Sequence, residues 1–206
     1  MAEQTTTTLA HIAAHLPSAM DYETYRGLVR QLAEEGGTTG PEQTAALVEY
    51  TQLNDRRMKR WDKTLKIPEA VAAKIAKVKQ KITFLVLSES WCGDAAPSIP
   101  AMQKIAELNP NIELKILLRD SHLEVMDCFL TNGGRSIPKL VILDQEKQHI
   151  HGSWGPRPSK ATAMAEAYKA EHGKLSPAFK QDLQLWYNKD KGQNILEDLV
   201  ALLPLE

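Results

Sequence analysis

Residues 82–98 read ITFLVLSESWCGDAAPS. The opening Ile82–Leu87 is a continuous apolar run of strand length, the pattern of a strand covered on both faces. Past the turn, Ile99, Met102, Ile105 and Ala106 recur at helical spacing, which predicts a helix over 94–108. Between strand and helix stands Ser90-Trp91-Cys92-Gly93-Asp94-Ala95. A thiol at a helix N-terminus faces unpaired N–H groups and the positive end of the helix dipole. Both favour thiolate, so the expected Cys92 pKa lies below the usual value of about 8.5. Asp94 repels the thiolate and stabilises the helix start; the expected balance is net activation.

Working outward, Ile112–Leu118 and Lys139–Leu143 are two more apolar runs of strand length. Leu123, Met126, Phe129 and Leu130 mark a helix over 121–131 between them. Gln145-Glu146-Lys147 is a short polar turn into a further strand, Gln148–Ser153, and a helix follows from Ser159 to Glu171, closed by Gly173. The order β-α-β-α-β-β-α fits an α/β fold, a mixed central sheet flanked by helices. Both flanks read as helical. In residues 1–80, Asp21 caps a helix to Glu35 ended by Gly36-Gly37, Gly40-Pro41 opens a longer one to about Leu65, and Pro68 starts a third. Residues 173–206 carry Leu183, Leu185 and Trp186, then Ile195 to Leu203, about a turn at Asn188–Gly192. The division expected is an N-terminal helical extension (1–80), a core (81–172) and a C-terminal helical extension (173–206), packed as one unit. The Thr5–Thr8 run is expected to be a frayed end.

These features together resemble the thioredoxin family. A strand, Trp-Cys-Gly-X-X and a helix resemble the thioredoxin active-site turn. Pro100, eight residues after Cys92, resembles the proline that kinks that helix. Ile137-Pro138 resembles the isoleucine–cis-proline pair, and Gly152 the glycine near the end of the last strand. Trp91-Cys92-Gly93-Asp94-Ala95 and Trp154-Gly155-Pro156-Arg157-Pro158 are similar to a branch of thioredoxin-like proteins with one active-site cysteine. The resemblance implies a thioredoxin-like fold, Cys92 as nucleophile, and substrate contact by Trp91, Gly93, Asp94, Ile137 and Pro138. It also shows departures. Ala95 replaces the second cysteine, Val86 the buried acid, and Ser88 an aromatic residue. A two-cysteine reductase is therefore not expected.

Composition bounds the function. The chain of 206 residues carries 25 Lys and Arg against 26 Asp and Glu, which argues against a dedicated nucleic-acid or anionic-membrane binder. Two cysteines, Cys92 and Cys128, exclude a disulfide-rich scaffold and an all-cysteine metal site. No run reaches the ~18 apolar residues of a membrane span. The first twenty residues lack a basic start and carry Glu3, His11 and His15, unlike a signal peptide. The expected location is cytoplasmic, where thiols stay reduced.

The remaining motifs read blandly. His11 with His15, and His149 with His151, have the spacing of ligand pairs but lack partners, so no metal and no cofactor is expected. Arg56-Arg57-X-Lys59-Arg60 reads as a solvated helix face. Gly36–Gly40 lacks the Gly-Lys-Ser/Thr of a phosphate loop. Trp154 is either a wall of the thiol pocket or a packed aromatic. Cys128 lies off the apolar stripe of its helix, accessible; it is the candidate distant resolving cysteine, set against the preferred reading of an unpaired helix cysteine. Two functions remain open. One is monothiol exchange with a disulfide-containing protein or low-molecular-weight thiol; the other is a non-catalytic thioredoxin-fold binding module.

Overall fold

In the computed structural model of the chain, which describes residues 2–146 and 148–205, the core is a four-stranded sheet in the order β2-β1-β3-β4. β1 (Ile82–Ser88) is central and buried at every position. It runs parallel to β2 (Ile112–Leu118) and antiparallel to β3 (Lys139–Asp144). β4 (His149–Trp154) pairs antiparallel with β3 and is the half-exposed edge. The runs of β1 and β3 are thus the two-sided interior of the sheet, as their lack of alternation requires, whereas β2 exposes Glu113 and half-exposes Lys115 and Leu118. Beyond β2, Met20 exchanges two backbone hydrogen bonds with Ile116, at 2.9 and 2.8 Å, and so pairs part of that strand's outer edge. Of the Gln145-Glu146-Lys147 turn, Lys147 lies outside the described residues.

The helices are α1 (Ala2–His15), α2 (Tyr22–Glu35), α3 (Ala45–Thr64), α4 (Glu69–Ile75), α5 (Ala95–Leu108), α6 (Leu123–Met126), α7 (Ser159–His172), α8 (Pro177–Asp190) and α9 (Gln193–Ala201). Asp21 caps α2 by accepting from Thr24 N–H, and Gly36 ends it in the left-handed region at φ 72°. α5 carries Pro100 within it. The fold is the mixed α/β, thioredoxin-like arrangement expected from the sequence, with extra helices at both ends.

Three local expectations are corrected. Thr5–Thr8 lie inside α1 and are not frayed. Gly40-Pro41 does not open α3, which starts after Thr44, whose hydroxyl caps Leu47 N–H. Gly40 instead sits at φ 85°, where a Cβ would press on the Asp120 carboxylate. The 121–131 helix is a single turn, α6, continued by a 3-10 turn (Asp127–Phe129). Only Val125 and Met126 are buried there; Leu123 and Leu130 face outward, so no stripe extends the helix.

Candidate functional site

The turn after β1 brings Trp91, Cys92 and Gly93 to the mouth of a cleft of about 600 Å³. Asp94 and Ile137 also line it. Pro138 does not. It lies buried behind the wall, and the Ile137–Pro138 bond is cis. The Cys92 thiol donates to the Ile137 carbonyl at 3.2 Å and the residue is 6% exposed.

The expected thiol activation is overturned. Burial pushes the Cys92 pKa up, and Asp94 pushes it further, from the ordinary 9.0 to about 12. The N–H groups of Ala95 and Asp94 and the charge of Arg157 pull the other way and lose. Helix-terminal placement supplies the dipole term, but a thiol removed from water has no hydration to stabilise its anion.

Asp94 stands at the N-cap position of α5 but its side chain makes no cap hydrogen bond. Its carboxylate is spent on an ion pair with Arg157 at 2.8 Å and accepts from Tyr187 Oη at 3.1 Å. Arg157 comes from the loop after β4 and Tyr187 from α8. This loop walls the cleft through Pro156 and Arg157, whereas Trp154 packs away and donates to Asp198 at 3.2 Å. Gly155 is obligatory there: at φ 110° a Cβ would run into the Pro138 carbonyl.

The underside of the turn is held by uncharged groups from the N-terminal extension. Ser90 Oγ lies 2.8 Å from Thr51 Oγ1 and accepts from Thr39 N–H at 3.0 Å. Ser90 N–H donates to Thr39 Oγ1 at 2.8 Å, and Asn54 Nδ2 donates to the Ser90 carbonyl at 2.9 Å. Glu89, fully buried, accepts from Asp120 N–H at 2.8 Å, and its burial raises its pKa. Buried polar groups placed this way fix one conformation of the turn.

Sequence reasoning missed Arg57, Arg119, Arg157 and Tyr187. Arg119 stacks over Trp91 at 5.0 Å. Of the basic run, Arg56, Lys59 and Arg60 are exposed, whereas Arg57 is half-buried and lines the cleft. Arg57 follows Asn54 by three residues and so shares its helix face, but that Asn54 is buried is seen only in the folded chain. Cys128 is exposed, donates to the Glu124 carbonyl at 3.3 Å, and is not among the residues lining the cleft. His11 and His15 each lie 3.4 Å from Glu124, and His149 and His151 meet ring to ring at 5.2 Å. Among the described residues no group of three or more His, Cys, Asp or Glu could hold a metal ion. Among them, too, no helix is long and apolar enough to cross a membrane.

The thioredoxin family model matches residues 40–169. That span starts at Gly40 and so takes in α3, which clamps the turn, as well as the core. A crystal structure of a protein of unknown function from Pseudomonas aeruginosa superposes with a TM-score of 0.64 at 19% identity, covering 92% of this chain and 95% of that one. An HIV epitope-scaffold structure superposes at 0.57 with 20% identity, covering 84% and 95%. At these identities the likeness is one of fold. No curated protein matches the chain in sequence.

Proposed function

The chain belongs to the thioredoxin family, and on that premise we propose that it is a single-cysteine thiol–disulfide exchange protein. The observation that carries this reading is the position of Cys92 Sγ in the cleft wall, 3.2 Å from the Ile137 carbonyl. Trp91, Gly93, Asp94 and Ile137 border the same opening, the residues assigned to substrate contact; Pro138 holds Ile137 from behind. Ala95 is buried beside them and offers no second thiol in the turn.

In the first step the Cys92 sulfur attacks one sulfur of a disulfide. A Cys92–substrate disulfide forms, the substrate's S–S bond breaks, and the departing sulfur leaves as a thiol, taking up the proton Cys92 gives to solvent. In the second step an external thiol attacks the substrate sulfur; the Cys92–substrate bond breaks, a disulfide of the substrate with the external thiol departs, and Cys92 takes up the proton that thiol gives to solvent. No net oxidant is consumed. A cytoplasmic setting supplies the reduced thiols the second step needs. The resting thiol is protonated, so attack waits on deprotonation in the occupied cleft.

That same protonated state favours a second reading, a thioredoxin-fold module that binds a partner without turnover. The two separate on one measurement. The Cys128→Ser protein, incubated with a small disulfide, gains one adduct by intact mass, and the adduct is absent when Cys92→Ser is added. No adduct at Cys92 after prolonged incubation leaves the binding module as the reading.

A further inference from the structure

The chain as a whole is balanced, 25 cationic residues against 26 acidic ones, but the cleft at Cys92 is not. Arg57, Arg119, Arg135, Arg157, Lys169 and Lys180 line it, with Asp94 as the single acid in the lining among the described residues. These cations come from α3, the segment after β2, the loop before β3, the loop after β4, α7 and α8. No single helix face produces the cluster; the fold assembles it.

Three of the six are already engaged. Arg157 pairs with Asp94 at 2.8 Å, Arg119 with Asp120 at 2.7 Å and Arg135 with Asp127 at 2.6 Å. Among the described residues, Arg57, Lys169 and Lys180 have no carboxylate within ion-pair distance. Arg57 is the telling one. It is half-buried, donates only to the neutral Asn54 amide at 3.2 Å, and burial pulls its pKa down. Its Nη1 lies 3.7 Å from where a Cβ on Gly93 would stand, so it points at the residue after Cys92. The Asp94 charge reaches Arg57 only through space, because that carboxylate is paired with Arg157, and a ligand carboxylate would relieve the remaining cost of a partly desolvated guanidinium.

We infer that the cleft takes a small anionic ligand, a carboxylate-bearing thiol or disulfide whose negative groups meet Arg57, Lys169 and Lys180 while its sulfur reaches Cys92. A cleft of about 600 Å³ is in the usual range for a small molecule. Trp91, held under Arg119, gives the ligand's apolar stem a surface. Like-signed charge in a recess focuses the field on its mouth, so the same cations speed the approach of an anion. The sulfur part of this inference rests on the exchange reading; the anion part does not.

The test uses three disulfides of nearly equal shape: dianionic 3,3′-dithiodipropionate, neutral 2-hydroxyethyl disulfide and dicationic cystamine. Adduct formation at Cys92 is followed in the Cys128→Ser protein. The expected order is dianion, neutral, dication, spanning at least about tenfold at low salt and collapsing to within about twofold at roughly 0.5 M salt. Equal rates at low salt, or a faster dication, overturn the inference. A second arm titrates the thioether 3,3′-thiodipropionate, which cannot exchange, into the Cys92→Ser protein and follows the Trp91 indole signal. Saturable, salt-sensitive binding weakened in Arg57→Gln supports the anion site even if no disulfide reacts, in which case only the exchange reading fails. Absence of binding there, together with no charge order in the first arm, overturns the site itself.

Discussion

Cys92 and Cys128 have opposite environments. Cys92 sits at the head of α5 in the turn the family resemblance singles out, yet is 6% exposed and bonded to a carbonyl. Cys128 sits in a short 3-10 turn that buries no residue, and is open to solvent. The difference teaches that fold position and present reactivity are separate properties. The first is set by β1 and α5. The second is set by what covers the sulfur, which at Cys92 leaves 6% of the residue exposed.

The widest expected gap between the two is kinetic. At neutral pH a polar alkylating reagent should modify Cys128 roughly a hundredfold or more faster than Cys92, because only thiolate reacts and burial suppresses it at Cys92. Peptide mass mapping over time checks this, with equal rates expected in denaturant. Comparable rates in the folded protein would erase the contrast. Next is the wall behind Cys92. Gly155→Ala should cost about 3 kcal/mol, since a Cβ there meets the Pro138 backbone at a positive φ. Denaturant titration reads it, and a wild-type midpoint would mean the two loops can separate.

Smaller in free energy is the charge effect. Asp94→Asn removes the acid beside the thiol and frees Arg157, so Cys92 alkylation should rise about tenfold. An unchanged rate would show that burial alone holds the proton. A last pair of changes sharpens the comparison on both sides. Thr51→Val breaks the buried contact under Ser90 and should cost about 1–2 kcal/mol. Asp127→Asn, beside Cys128 in an exposed pair with Arg135, should leave the denaturation midpoint where it is.

Much of this was legible in the residues. Continuous apolar runs in Ile82–Leu87 and Lys139–Leu143 can only be two-sided strands in a chain this polar, and the structure has them so. Asp21 and Gly36 mark α2 because capping is local chemistry. What was hidden depends on distant packing. Nothing near Tyr187 says it will reach Asp94, 93 residues away, because that contact exists only after α8 docks. The state of the Cys92 thiol was misjudged for the same cause. The helix dipole can be read from sequence, whereas the burial that outweighs it exists only in the folded chain. Arg57 was the middle case, placed on its helix by spacing but taken for a surface residue because its neighbours Arg56, Lys59 and Arg60 are exposed.

Linkage gives the protonated thiol a second signature. Its folded pKa is raised above the unfolded one, so its contribution to stability is complete below about pH 9 and is lost as pH climbs toward 12. The most direct measurement is the pH dependence of Cys92 alkylation in the Cys128→Ser protein. The rate should keep climbing about tenfold per pH unit through neutral pH and past pH 10, without a plateau. A plateau with its midpoint at or below about 8.5, the value for free cysteine, would contradict a thiol held neutral by its burial.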